Sequence, residues 1–304
     1  MSNYCHLCGR PLAQGLSIHV HPEHPDHQLA VCGHCHKTAP RCRRCGLPMR
    51  ADMSTGANCA LCAAGAPRCR SCGSPVTGSY VEINGLGPYC RTCHETRQHC
   101  SVCGVPLDAR ARYLPDGRAI CATCQQTAVL EAGQAKSLFD WTVQAIQTAL
   151  SLGLRVGVRF VVTDHPGLRA QIQKARPDLI YEADRLLGVY VREDPHRTIY
   201  VENGLPSILL IQVVAHEWAH AWQMENCPTP QEMLIVEGFA EWVAYKVLQE
   251  MGAVKKMGLM AARPDLYGEG LRLMLAREER KGIPGVLALC LARAQPDKAQ
   301  TPAP

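Results

Sequence analysis

Residues 208–224 read ILLIQVVAHEWAHAWQM, and seventeen positions after His220 comes Glu237, within VEGFAEW at residues 236–242. An α-helix turns once in about 3.6 residues, so His216 and His220 fall on one face, where two imidazoles can grip one metal ion. Glu217 lies beside that face, placed to take a proton from a water molecule. The run from Ile208 to Met224 holds no Gly or Pro and is apolar apart from Gln212, Gln223 and the motif itself. Such a pattern suits a buried helix whose charges point inward.

The residues downstream supply a third donor. Thr229-Pro230-Gln231-Glu232 reads as a capping box with Pro at the first helical position, which predicts a second helix from about Pro230 to about Gly252. Glu237 and Glu241 then share its inner face. The short connection folds this helix back on the first, so Glu237 reaches the metal as third ligand and Glu241 accepts a hydrogen bond from a ligand imidazole. A pair of helices carrying HExxH and a downstream Glu is how gluzincin peptidases hold catalytic zinc.

The first 126 residues have a different grammar. Of 18 cysteines, 16 form eight CxxC pairs: Cys5/Cys8, Cys32/Cys35, Cys42/Cys45, Cys59/Cys62, Cys69/Cys72, Cys90/Cys93, Cys100/Cys103 and Cys121/Cys124. Every odd pair continues into the same knuckle, CHLCGRPL, CRRCGLPM, CRSCGSPV and CSVCGVPL, which makes a fourfold repeat. The even pair closes each repeat after 13 to 23 residues, and six residues join one repeat to the next. Four tetrahedral all-cysteine zinc sites are expected, giving one catalytic and four structural Zn²⁺ in all. Each repeat is too small to bury a useful core, so the metal must supply much of its folding free energy. No signal peptide or membrane-spanning run precedes the first knuckle, so a reducing cytoplasm is the expected location, with zinc in preference to disulfides or iron. The histidines His19, His21, His24 and His27, inside the long first hairpin, read as a polar exposed loop, with adventitious metal binding as the alternative, and Cys227 and Cys290, outside any CxxC pair, as ordinary small apolar residues.

The formal charge of +5 raises the question of nucleic acid, because residues 1–126 carry 13 Lys and Arg against 7 Asp and Glu. Zinc tetrathiolate centres reverse that balance, each contributing about −2. Basic residues such as Arg41, Arg43, Arg44, Arg68 and Arg70 remain, but only Tyr4, Tyr80, Tyr89 and Tyr113 are available for stacking on bases. The expected partners are therefore a protein substrate and a protein bound through the ribbons; neither nucleic acid nor a membrane is expected.

The domain reading is four ribbons at residues 1–38, 39–65, 66–96 and 97–126, one domain at 127–295 and a disordered tail at 296–304. In the large domain, helical period covers Thr127 to Leu152 and Pro166 to about Ala175, with strands at Val156 to Thr163, Leu187 to Arg192 and Thr198 to Val201. Further helices are expected over Asp265 to Lys281 and Pro284 to Ala294. The segment Arg197 to Glu202 directly precedes the HEWAH helix and is expected to form the upper edge of the cleft, pairing with extended substrate.

The stretch IYVENGLPSILLIQVVAHEWAHAWQ followed by VEGFAEW resembles the peptidase domain of the plant LIM-domain peptidases that restrict organ growth under ubiquitin control, and of their bacterial relatives. The resemblance covers residues 197–245 most closely and extends to the order of modules, zinc fingers before a zincin domain. It implies His216 and His220 as ligands, Glu217 as the catalytic carboxylate and Glu237 as the Glu preceding Gly. LIM domains include a histidine ligand and a two-residue joint, whereas these repeats are all-cysteine with six-residue joints, and no acidic ubiquitin-interacting helix is present. Dependence on a ubiquitin-like partner is not carried over. The expected fold class is α+β: tandem four-cysteine zinc ribbons, LIM-like, followed by a mainly helical gluzincin-type domain with a small β-sheet.

These readings converge on a zinc-dependent endopeptidase whose ribbon array recognises substrate or partner or regulates the cleft. The alternatives are a ribbon scaffold with a vestigial peptidase domain and a nucleic-acid-associated ribbon protein that cleaves a regulator. Tyr245, Tyr267 and His196 are the candidate donors to the oxyanion of the transition state.

Overall fold

A computed structural model describes residues 4–12, 16–22, 24–50, 54–55, 58–76, 79–83, 85–179, 185–229 and 231–292. The proposed tail lies outside these residues. The fold is α+β, with small sheets and helices, and divides into two compact units, Met1–Ala111 and Arg112–Pro304. No helix among the described residues is long and apolar enough to cross a membrane.

The repeats share one local construction. The first cysteine of each knuckle accepts, on its carbonyl, the N–H of the glycine four residues on: Gly9, Gly46, Gly73 and Gly104, at 2.8–2.9 Å. These glycines have φ of 69–75°, a left-handed conformation that a side chain would strain, which is why every knuckle reads CxxCG. The proline two residues later lies on a single bridge opposite the residue before the knuckle, as in Tyr4 with Pro11 and Arg41 with Pro48.

A hairpin follows each knuckle. In the first repeat it is β1 (Leu16–His21) with β2 (His24–Cys32), leading into α1 (Gly33–Thr38). The second repeat has β3 (Ser54–Thr55), β4 (Asn58–Cys59) and α2 (Ala60–Ala64), and the third β5 (Tyr80–Glu82), β6 (Pro88–Cys90) and α3 (Arg91–Thr96). The fourth closes, within the second unit, with β7 (Arg112–Tyr113), β8 (Ala119–Ile120) and α4 (Ala122–Gln125). Each short helix is capped by a cysteine: the Sγ of Cys32, Cys59, Cys90 or Cys121 accepts from the backbone N–H of the cysteine three residues on. The first cysteine of each repeat's second CxxC pair thus doubles as a helix N-cap.

The second unit adds α5 (Ala132–Leu150), β9 (Arg159–Thr163), α6 (His165–Ala175), β10 (Gly188–Glu193), β11 (His196–Glu202), α7 (Ser207–Asn226), α8 (Met233–Glu250), α9 (Val254–Ala261) and α10 (Leu266–Leu291). Its sheet runs β10-β11-β9, antiparallel then parallel. On one face, Val189 and Val191 pack with Leu168 and Ile172 of α6. α7 and α8 are buried over most of their circumference, and Trp218, Phe239 and Trp242 are fully enclosed.

Four sequence expectations shift. α5 begins at Ala132 instead of Thr127, because Thr127–Val129 is spent in extended pairing with the loop before α7: Ser207 N–H donates to Thr127 O, and Val129 exchanges bonds with Leu205 O and Gly204 N. α8 begins at Met233, not Pro230, and its N-cap Glu232 makes no side-chain capping bond. Gln231 instead donates its side chain to the Cys290 carbonyl. The third correction concerns β11. It is the central strand, paired on both sides, so its backbone cannot form the cleft's edge; β10 occupies that place. The two helices expected near the C-terminus form one run broken at Gly282 (φ 63°, ψ −174°), two residues before Pro284.

A buried ionic group stands at the end of β11. Arg118, from the turn between β7 and β8, pairs with Asp116 at 2.8 Å and with Glu202 at 2.7 Å, and His165 Nδ1 lies 2.6 Å from the same Glu202. It fastens the hairpin to the strand that leads into α7.

Candidate metal centres

His216 and His220 project from α7, and α8 returns antiparallel to bring Glu237 beside them. His216 Nε2 lies 3.1 Å from His220 Nε2 and 3.2 Å from Glu237 Oε2, and His220 Nε2 lies 3.6 Å from the same oxygen. Donors bound tetrahedrally at zinc distances of about 2.0–2.1 Å stand about 3.3 Å apart. All three separations cluster around that edge length. The group could therefore hold a metal ion.

The surroundings orient these donors. His216 Nδ1 faces Glu241 Oε1 at 3.4 Å, as the i, i+4 spacing of the two glutamates predicts. His220 Nδ1 pairs with Gln223 Oε1 at 2.9 Å, and Gln223 Nε2 donates to the Val236 carbonyl at 3.0 Å, one residue before Glu237. Gln223 therefore ties both ligand-bearing helices to one imidazole. In the sequence Gln223 stands out only as a polar exception in an apolar run, and its i+3 relation to His220 is the signal for this role.

Burial alone would raise the pKa of Glu237, yet hydrogen bonds from His216 and His220 outweigh it and hold the carboxyl well below the usual range. Burial would lower that of His216, but Glu237 and Glu241 pull it well above the ordinary histidine value.

Glu217 stands apart from the donor triangle. Its Oε2 accepts the Tyr190 backbone N–H at 2.8 Å, so β10 positions it. The approach is close because residue 188 is glycine: a Cβ there would stand 2.5 Å from Val213 Cγ1 and 3.1 Å from Glu217 Cγ. A second close approach fixes Glu237. A Cβ on Gly238 would lie 2.7 Å from the backbone of Gly270 in α10, where no side chain can swing away. Gly238→Ala is expected to cost about 1–3 kcal/mol through overpacking and to weaken metal binding at Glu237. Denaturant unfolding with metal titration checks this, and a variant of unchanged stability and affinity would contradict it.

A cavity of about 540 Å³ opens onto these groups, lined along one side by Gly188–Glu193 of β10. Among the candidate oxyanion donors, Tyr267 lines the cavity, its ring centroid 6.1 Å from that of His216. Tyr245, on α8, and His196, exposed at the start of β11, do not line it. Arg176, which no sequence motif marks, does. Cys227 also borders the cavity, while Cys290 is fully buried with its thiol pushed up to about 12 by burial.

The N-terminal cysteines gather into groups that could hold metal ions: Cys5, Cys8, Cys32 and Cys35, and Cys69, Cys72, Cys90 and Cys93. Cys8 and Cys32 Sγ stand 3.8 Å apart, Cys45 and Cys59 3.8 Å, and Cys72 and Cys90 3.9 Å. A disulfide would require about 2.05 Å; sulfurs at tetrahedral zinc distances of about 2.3 Å stand about 3.8 Å apart. These are spacings for a metal, compatible with zinc ribbons.

The thiols are unevenly poised. Burial would raise Cys5, but backbone N–H groups of Cys32, Cys8 and Leu7 bring it down to about 6, while burial and the neighbouring thiols push Cys35 up to about 12. The basic residues of this region are partly spent internally: Arg41 donates to the carbonyls of Gly46 and His36, Arg68 to Gly73, and Arg70 to Leu86.

The second repeat departs from expectation. Its donor group is Cys45, Cys59 and Cys62 with His21, from the first repeat's hairpin; Cys42 lies alongside, its Sγ donating to Asn58 Oδ1 at 3.5 Å. His21 is 1 % exposed, not part of an exposed loop.

No family model, curated protein or solved structure matches this chain.

Proposed function

We propose that this protein is a zinc-dependent endopeptidase of the gluzincin kind that cleaves protein substrates, with the ribbon array recognising substrate or partner or regulating the cleft. The observation that carries the reading is the triangle of His216, His220 and Glu237, spaced for one tetrahedral cation, with Glu217 held beside it at a cavity bounded by an edge strand. The LIM-domain peptidases that the motifs resemble share this order of parts.

Zinc bound there would polarise the scissile carbonyl and acidify the attacking water. The remaining chemistry belongs to the chain. His216, His220 and Glu237 hold the ion, and Glu241 and Gln223 fix the two imidazoles. Tyr190 N–H engages one oxygen of Glu217, which leaves the other to accept a proton from water and return it to the departing amine. Alternation along β10 turns the backbone of Arg192 the same way as that of Tyr190, so an extended peptide can add to this edge. Tyr267 and Arg176 are placed to meet charge developing on the carbonyl oxygen. A reducing compartment such as the cytoplasm would keep the sixteen paired thiols available for zinc.

The test uses the full chain and an unfolded protein as substrate. Cleavage is expected from wild type, and His220→Ala is expected to abolish it while lowering bound zinc by one equivalent. Cleavage undiminished in that variant, or no cleavage by the fully zinc-loaded chain, would refute the proposal.

A further inference from the structure

The first repeat spaces its CxxC pairs 23 residues apart and the second only 13. The second repeat's strands are correspondingly two residues each, too short to roof its own thiols, whereas β1 and β2 run to six and nine. β1 alternates strictly: Leu16, Ile18 and Val20 face outward, and Ser17, His19 and His21 turn inward. The pairing register breaks between Val20, opposite Gln28, and His21, opposite His24. Such a bulge re-aims the side chain beside it. Here it delivers His21 to the second repeat, with Nε2 3.3 Å from Cys62 Sγ.

That distance alone would also fit an N–H donating to a thiolate from outside a completed site. Nε2, however, lies within 4.8 Å of Cys45, Cys59 and Cys62 together, which themselves lie that close to one another, so it can take the fourth corner of a tetrahedron around one ion. Cys42, the expected fourth ligand, stays in hydrogen-bonding reach of Cys45 and Cys62 but stands outside that group of four, and its Sγ donates to Asn58, a nearly fully buried residue whose Oδ1 also accepts the Arg44 N–H.

We propose that His21 is the fourth ligand of the second repeat's metal site, completing a Cys3His set with Cys45, Cys59 and Cys62, with Cys42 as a reserve thiol. The metal then cross-links two repeats that share no β-ladder among the described residues and fixes the direction in which the exposed Leu16, Ile18 and Val20 stripe points. Zinc in this site also carries about −1 in place of the −2 of a tetrathiolate. The geometry is independent of any peptidase activity, but it does rest on the thiol groups binding metal.

Cadmium NMR of the cadmium-loaded full chain tests this, because the shift separates a metal held by four sulfurs from one held by three sulfurs and a nitrogen. One three-sulfur signal is expected beside all-sulfur signals, with the site at His216, His220 and Glu237 distinct from both. In His21→Ala the three-sulfur signal should be lost to an all-sulfur one as Cys42 steps in; in Cys42→Ser it should persist. Four all-sulfur signals in wild type overturn the inference alone, and that spectrum decides even if a variant fails to fold. An absence of any sulfur-bound cadmium overturns the metal reading of the repeats as well.

Discussion

Glu217→Gln is expected to lower the rate of peptide cleavage by about 10²–10⁴-fold, the usual worth of a positioned general base, while leaving zinc content unchanged. The amide has the carboxylate's shape, and its oxygen can still accept the Tyr190 N–H that anchors residue 217 at 2.8 Å. What it loses is the capacity to take a proton. Because the donor triangle consists of His216, His220 and Glu237 alone, the ion has no reason to leave. The loss should therefore fall on kcat, with metal per chain equal to wild type and His220→Ala serving as the metal-deficient comparison. A variant that turns over substrate at the wild-type rate would remove Glu217 from the reaction.

Chelation is expected to unfold the repeats while sparing the helical core of the second unit. Structural zinc in small domains is worth about 10–16 kcal/mol per ion at neutral pH, and nothing else in the repeats approaches that. The cluster around Cys5, Val31 and Cys35 adds only a few partly buried apolar neighbours, and that around Cys42, Met49 and Cys62 is smaller still. Without a cation, four sulfurs about 3.8 Å apart cannot all remain ionised. Cys5 is brought down to about 6 by backbone N–H groups against the opposing effect of burial, whereas Cys35 is pushed up to about 12, first by burial. Metal release at neutral pH should accordingly take up protons.

Hydrogen exchange before and after chelation is the direct measurement. Amides of the knuckles and hairpins should lose protection, and those of α7, α8 and α10, which enclose Trp218, Phe239 and Leu271, should keep theirs. Equal protection of the repeats with and without chelator would show that they hold together by some other means.

Much of both centres can be read from local spacing. HExxH fixes two imidazoles on one helical face whatever surrounds it, because the period of the helix decides the matter, and the same holds for Glu237 and Glu241 on α8. The CxxCG knuckle is equally local, since a left-handed residue is needed one position after the second cysteine and only glycine adopts it without strain. The capping box at Thr229 shows the limit: a local signal for a helix start yielded to Gln231, whose side chain is held by a carbonyl fifty-nine residues away.

By itself, then, the amino-acid order determined which side chains share a helical face, where the thiols recur and which residues can donate to a metal, because these follow from periods of a few residues. Tertiary structure alone decided that β10 and not β11 lines the cleft, that Gln223 braces His220 and that His21 reaches another repeat's thiols. Strand order, the close approaches at Gly188 and Gly238 and the bulge at His21 all arise from the packing of segments distant in the chain. No short-range period carries that information.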